Sequence, residues 1–338
     1  MSKIAVIQTA FPGDVILALP VFDVLKERIP GSELAAVIRP ESVRILKNNP
    51  HIDRIIVYDK YGADRGLSGI RRIATQLKGF DKAIVIQRHI RSALIPFGAG
   101  VPERIGYENS TAKILYTESK PYRENAHEVQ RCLDLIDFDN SGMKFKPRIY
   151  IDEESQHRAE SLLDEGGIRF DFAVVAPGSV WPTKRYNQFQ AVIDLIYDRF
   201  DLQVVMLGGA RDRELTSSIA LESAHLPLDL TGKTDLLLSA AVISQAKVVV
   251  ANDSSPGHIA AAVGTPVVSI FGPTIPEYGF TPYSENSKVV DIGMLECRPC
   301  SRHGSEKCPR GHFKCMRELS PEKVVAAVGS LLNGGAYK

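Results

Sequence analysis

Short β-branched runs alternate with helix-period segments twice along these 338 residues, once from Lys3 and again from Phe172. That alternation constrains the fold more than any other feature. Strand, helix, strand in regular succession is the pattern of a parallel, doubly wound α/β sheet, because parallel neighbours need a crossover between them. In the first half, residues 3–8, 34–38, 55–58 and 83–86 read as strands, and residues 14–28, 41–47, 70–77 and 125–137 as helices. In the second half strands are expected at 172–176, 203–207 and in the run opening at Val248, with helices at 188–199, 212–222 and 235–245. Ser320-Pro321-Glu322 opens a last helix with Pro in its first turn. Two Rossmann-like halves with a cleft between them is the simplest architecture. The pattern loosens over 144–152, and the link between halves is expected there or just after a helix at 153–164; on the second choice the division is 1–165, then 166–319 with a Cys-rich segment at 297–315, then a terminal helix at 320–338.

Composition removes several classes of function. Apolar residues make up 44% and charged residues 24%, which is globular rather than disordered. A formal net charge of +1 gives no bulk argument for nucleic acid. Residues 60–131 nevertheless hold 13 Lys and Arg against 7 Asp and Glu. Such an excess is either a solvated face or a surface that receives an anionic substrate. Met1-Ser2-Lys3 leads straight into a strand, and the longest apolar stretch nearby is interrupted by Pro20 and Asp23. A soluble, cytoplasmic protein is expected, at most peripheral to a membrane. Five cysteines, with Cys132 isolated, do not make a secreted disulfide framework.

In such sheets ligands sit beyond the carboxyl ends of the strands, so the loops there carry the chemistry. Around Lys247 to Thr274 the chain reads strand, polar turn, small-residue helix from Ile259, strand. The turn Asn252-Asp253-Ser254-Ser255-Pro256-Gly257-His258 places unpaired helix N–H groups at a strand end, an anion-binding geometry. Asp253 and Ser254 are also ordinary caps, and the two readings are compatible. The strand from Phe172 ends in Pro177-Gly178-Ser179-Val180-Trp181-Pro182-Thr183-Lys184-Arg185. There Ser179 and Thr183 are candidate hydroxyl donors and Lys184 a point charge for a diphosphate. Gly208, Gly209, Thr231 and Gly232 follow the next strand positions, where glycine lets a base or ribose approach the backbone. After the first strand, Thr9-Ala10-Phe11-Pro12-Gly13-Asp14 is neither GxGxxG nor a P-loop. It offers one carboxylate, Asp14, as helix cap or as general base. No GxSxG elbow supports a hydrolase reading of Ser254 and His258. Cys297-x2-Cys300-x7-Cys308-x6-Cys315 has enough thiols for a tetrahedral structural zinc site, with free thiols the other reading.

Taken in order, these loops resemble glycosyltransferase family 9, the ADP-heptose:lipopolysaccharide heptosyltransferases, and within it the heptosyltransferase II-like branch. The residues that carry the resemblance are Pro12-Gly13-Asp14 with Leu17-Ala18-Leu19-Pro20, Pro102 through Tyr107, Pro177-Gly178-Ser179, and Thr183-Lys184-Arg185. Asn252-Asp253-Ser254 with His258, Phe271-Gly272-Pro273-Thr274 and the Cys-rich tail continue it. The resemblance implies a GT-B fold, with parallel sheets facing across a cleft, and an inverting transfer of heptose from ADP-heptose to the inner core of lipopolysaccharide. No cofactor is required in that family. By the same resemblance Asp14 is the catalytic carboxylate, Lys184 the phosphate-binding lysine and Asp253 the acidic donor-site residue, with Ser254 and His258 holding the pyrophosphate. The implied acceptor is a lipid-linked anionic saccharide, met at the cytosolic face of the inner membrane. One departure is visible, because Ser255 and Pro256 stand where the family commonly has Gly. A GT-B transferase of another nucleotide sugar, a sugar-nucleotide epimerase or hydrolase, and a non-enzymatic nucleotide-sugar-binding module are the alternatives. The oligomeric state stays open.

Overall fold

In the computed structural model, which describes residues 1–334, every strand pairs parallel to its neighbours, in two sheets of six. The first unit, Met1–Tyr150, runs β1 (Lys3–Ile7), α1 (Pro12–Ala18), α2 (Pro20–Arg28), β2 (Glu33–Ile38), α3 (Val43–Leu46), β3 (Arg54–Val57) and α4 (Gly66–Gln76). It continues through β4 (Lys82–Val85), α5 (Ile90–Gly98), β5 (Glu103–Tyr107), β6 (Glu118–Lys120) and α6 (Glu128–Asp134). Its sheet order is β3-β2-β1-β4-β5-β6. β1 is buried at four of its five positions and β2 at five of six, as strands covered by helices on both faces must be. Ala5, Ile7, Val37, Ile73, Leu77 and Val85 form part of that unit's core.

The second unit, Ile151–Lys338, runs α7 (Glu153–Glu165), β7 (Phe172–Ala176), α8 (Phe189–Phe200), β8 (Gln203–Met206), α9 (Arg213–Glu222), β9 (Leu228–Asp229) and α10 (Leu236–Gln245). It ends with β10 (Val248–Asn252), α11 (Ser255–Val263), β11 (Val267–Ile270), β12 (Ser287–Val290), α12 (Lys314–Arg317) and α13 (Pro321–Gly334). The order β12-β11-β10-β7-β8-β9 repeats the first sheet's winding. In each sheet the middle pair, β1–β4 and β7–β10, is where successive connections turn to opposite sides, the switch point at which such sheets bind ligands.

Four expectations are corrected. The division between units falls after Tyr150, at the first of the two expected places and not after residue 165, because α7 packs on α10 and buries Ala159 and Leu163. The terminal helix is not a separate segment: α13 packs on α8 and sends Val324, Val325 and Val328 into the second core, while residues 335–338 lie outside the described residues. The helix expected over 14–28 is two helices. Pro20 has no N–H to give, and Leu19 closes instead on Ile16 O at 3.1 Å. The helix after β10 starts at Ser255, so His258 lies within it, and Gly264 ends it at φ +88°, a left-handed conformation that costs glycine nothing. Among the described residues no helix is long and apolar enough to cross a membrane.

Candidate active site

Asn252 closes β10 and is fully buried. Its amide Nδ2 donates to Pro177 O at 2.7 Å, and its Oδ1 accepts from Tyr186 N at 3.1 Å. One side chain therefore fixes both ends of the loop after β7 against the end of β10. The next residue, Asp253, accepts from Thr274 Oγ1 at 2.7 Å and pairs with Lys184 Nζ at 2.6 Å. The side chains of Lys184 and Asp253 are 12% and 8% exposed, so this ion pair is largely withdrawn from water. Lys184 also reaches the Asp253 carbonyl at 3.4 Å.

Ser254 stands at the N-cap of α11 but does not cap it. Its Oγ turns back to Asn252 O at 3.3 Å and Gly178 O at 3.5 Å. Of the first turn, Pro256 carries no N–H, and Gly257 N bonds Ser254 O at 3.2 Å. A helix start without a side-chain acceptor, beside a buried ammonium, is a place for an anion. Ser255 is half-buried, and His258 is buried on the same helix.

The glycine loops meet at a residue that sequence reasoning missed. A Cβ on Gly178 would stand 2.5 Å from Asp212 Oδ2, and one on Gly208 would stand 3.2 Å from both Asp212 Cβ and Thr231 Cγ2. Asp212 Oδ2 accepts from Gly209 N at 3.0 Å, and Arg185 lies 3.7 Å from the same carboxylate. Gly209 to Asp212 has the spacing of a helix-start box, a signal present in the sequence. Gly232 N bonds Gly208 O at 2.9 Å. Thr231 Oγ1 is buried without a partner among the described residues. Thr274, named in the sequence only as the end of the Phe271–Thr274 motif, enters the site through its contact with Asp253.

Two expected ligand groups also have partners within the protein. Thr183 Oγ1 donates to Ser305 O and accepts from Ser305 N, both at 2.8 Å, so its hydroxyl pins the Cys-rich segment to the loop. Ser179 Oγ accepts from Trp181 N at 3.3 Å. The four cysteines do not close a metal site as they stand: among the described residues no three His, Cys, Asp or Glu side chains could hold a metal ion. Cys300 Sγ donates instead to Cys297 O at 2.8 Å, Cys297 lies 3.7 Å from His312 Nε2, and Cys315 is buried in the second unit's core. Burial raises the Cys315 thiol to about 11. At Cys308 burial is outweighed by backbone N–H groups from Phe313, Arg310, Gly311 and His312, which hold that thiol below its ordinary value.

In the first unit Asp14 lies in the opening turn of α1, where its Oδ2 accepts from Phe11 N at 3.1 Å. The cap reading is thus realised, and it leaves Asp14 half-buried. Lys60 Nζ donates to Thr9 O in the same loop at 2.7 Å. Burial lowers the Lys60 ammonium, and the neighbouring cations Arg39 and Arg91 lower it further, against Glu41 and Asp14. Arg39 lies over the rings of Tyr61 and Phe11 at 5.0 and 5.6 Å. The basic excess therefore has a local focus beside the Asp14 loop, with Arg39 added from outside the counted stretch.

The chain is similar to known proteins over nearly its whole length. Residues 70–309 match the profile of Glycosyltransferase family 9 (heptosyltransferase). Lipopolysaccharide heptosyltransferase 2 of Salmonella typhimurium is 27% identical over 98% of this chain and 99% of its own. Among solved structures, a glycosyl transferase family 9 protein from Veillonella parvula superposes with a TM-score of 0.87 at 25% identity, covering 98% of each chain. The ADP-heptose lps heptosyltransferase II of E. coli shares the fold at a TM-score of 0.77 and 22% identity, over 99% of each chain.

Proposed function

Since the chain belongs to glycosyltransferase family 9 and has its GT-B fold, we propose that it transfers a heptose from ADP-heptose to a lipid-linked, anionic saccharide of the lipopolysaccharide inner core. The observation that carries the donor half is the buried Lys184–Asp253 pair at the uncapped start of α11. The diphosphate lies there, with Lys184 and the helix N–H groups on its oxygens. Asp253, an acceptor-only group, orients Lys184 and takes hydroxyl donors of the sugar. Ser254, Ser255 and His258 flank the diphosphate. Gly208, Gly209, Thr231 and Gly232 border the nucleoside, where a buried hydroxyl awaits a partner.

The transfer is a direct displacement with inversion. The acceptor hydroxyl gives its proton to Asp14 as its oxygen bonds to the anomeric carbon, and the bond to the ADP oxygen breaks. Negative charge grows on that leaving oxygen, where fixed dipoles and one ammonium stabilise it without a metal. Arg39, Lys60 and Arg91 gather the acceptor's negative groups beside Asp14. The enzyme works in the cytoplasm, touching the inner membrane peripherally where its lipid-linked acceptor lies.

The test pairs ADP-heptose with heptose-deficient lipopolysaccharide and separates lipid-linked from free sugar in the products. Asp14→Asn should slow transfer by a factor on the order of 100 or more while ADP binding persists. Normal turnover by that variant would leave Asp14 a helix cap only. Free heptose as the main product would mark a hydrolase. In a thermal-shift series of ADP, UDP and GDP sugars, the true donor should add about 2.7 kcal/mol of stability at a hundredfold excess over its Kd.

A further inference from the structure

Both members of the Lys184–Asp253 pair are gripped by one stretch of chain that takes no part in the transfer scheme. Between β12 and α12, residues 291–313 form neither helix nor strand. The stretch runs back over the loops that follow β11 and β7. In the first of these, Pro273 O accepts from Cys300 N at 3.0 Å. In the second, Thr183 is bonded to Ser305 three times. Ser305 N donates to Thr183 Oγ1 and Ser305 O accepts from that hydroxyl, each at 2.8 Å, and Thr183 N donates to Ser305 O at 3.2 Å. Beside it Gly304 lies at φ +95°, where a Cβ would stand 2.7 Å from Trp181 Cβ and 3.2 Å from Lys184 Cγ. Bare backbone therefore packs on the stem of Lys184, and glycine alone allows both the conformation and the approach.

The other grip is Arg298, whose side chain is 4% exposed. Its Nη2 donates to Thr274 O and to Asp291 Oδ2, both at 3.0 Å, and its Nη1 donates to Gly293 O at 2.6 Å. Asp291 neutralises the guanidinium, and Lys323 Nζ on α13 holds the Asp291 carbonyl at 2.6 Å. Thr274 in turn gives its hydroxyl to Asp253 Oδ2, the same oxygen that pairs with Lys184. One line of contacts thus runs from α13 through Asp291, Arg298 and Thr274 to Asp253. A buried guanidinium needs a counterion, which Asp291 supplies. Its planar fork leaves a donor over for the Thr274 carbonyl, and that spare bond ties the Cys-rich segment to the ion pair.

We propose that Arg298 and Gly304 are positioning residues for the donor: Arg298 sets Asp253 through Thr274, Gly304 beside Ser305 sets Lys184, and the pair is thereby held ready for the diphosphate. This deepens the reading that Lys184 and Asp253 hold the donor, and it rests on that reading. The physical reason is preorganisation. A lysine stem has many rotamers, and an ammonium that must be collected from them binds an anion less tightly than one already in place. Gly304 removes that freedom by leaving the stem no room to swing. Asp253 aims the ammonium only while its own carboxylate is fixed, which is what the Thr274 hydroxyl does. A segment with no regular structure therefore acts as a clamp, because its two grips fall on the two halves of one ion pair.

Arg298→Met keeps the apolar stem and removes the fork. It should raise the Kd and the KM of ADP-heptose by about tenfold while the KM of the acceptor stays as it was. A merely structural role would reduce the amount of folded enzyme, lowering kcat with both KM values unmoved, and that result overturns the proposal. Thr274→Val completes a double-mutant cycle. Since Arg298 acts through Thr274, the double variant should bind ADP-heptose within about twofold of the weaker single variant; losses that multiply overturn the route. Should Arg298→Met fail to fold, Gly304→Ala carries the test: ADP-heptose should bind several-fold more weakly, and wild-type affinity overturns the clamp. Lys184→Ala checks the reading beneath. Unchanged affinity for ADP-heptose there removes the donor assignment and this inference with it. Lost affinity in Lys184→Ala, beside wild-type affinity in Arg298→Met and Gly304→Ala, sinks the inference alone.

Discussion

Lys184 and Asp253 illustrate how a single contact differs from a single residue. Each is a candidate in its own loop, and the sequence does not say that they meet at 2.6 Å across 69 residues, nearly out of water. Removing one partner of such a pair leaves a buried charge unmatched. Asp253→Asn keeps the shape and the Thr274 contact but strands the ammonium, so urea unfolding should show a loss of about 3–5 kcal/mol. A loss within about 0.5 kcal/mol, the range of surface changes, would mean that water reaches Lys184. Cys308 makes a second residue-scale case. With backbone N–H groups favouring its thiolate, it should react with iodoacetamide at lower pH than Cys300 or Cys315, both of which burial pushes the other way. Peptide mapping over a pH series checks the order. None of this was visible in the cysteine spacing, which reports only that thiols are near in sequence, not what surrounds each sulfur.

Helix starts divide into those that cap themselves and those that do not. Asp235 accepts from Leu237 N and Leu238 N at 3.0 and 2.9 Å, closing the start of α10. Ser254 holds the same position in α11 and makes no such bond. Asp235→Ala should therefore cost about 1 kcal/mol, whereas Ser254→Ala should change stability by less than about 0.5 kcal/mol and weaken ADP binding. Chemical denaturation with ADP titration separates them, and an equal stability loss in both would restore Ser254 to a cap. The sequence shows Ser254 at the helix start, but which way its hydroxyl turns depends on the Asn252 carbonyl at the end of β10 and the Gly178 carbonyl in the loop after β7. Periodicity located α4, α8, α9 and α10 because their apolar stripes are local. It did not find β6, with sequence ESK, since an edge strand this short and polar carries no pattern.

Across the whole molecule, stability should depend on pH through Glu128. Burial raises its pKa from 4.5 to about 7, so between those values the folded chain keeps a proton that the unfolded chain has released. The stabilising contribution is complete below about 4.5 and is lost as pH climbs through 7. Glu128→Gln should flatten that decline in denaturation curves taken across the window, and an unaltered slope would show that Glu128 ionises as freely as in water. What the order of residues determined by itself was the doubly wound class, the loops at strand ends and the family, because strand and helix periods and short motifs are properties of neighbouring residues. Where the units divide was decided by α7 finding its partner α10 some seventy residues later. The tertiary structure likewise engaged the Thr183 hydroxyl with Ser305 and joined Lys184 to Asp253. Those are contacts between segments distant in the chain, and only the closing of the sheets makes them neighbours.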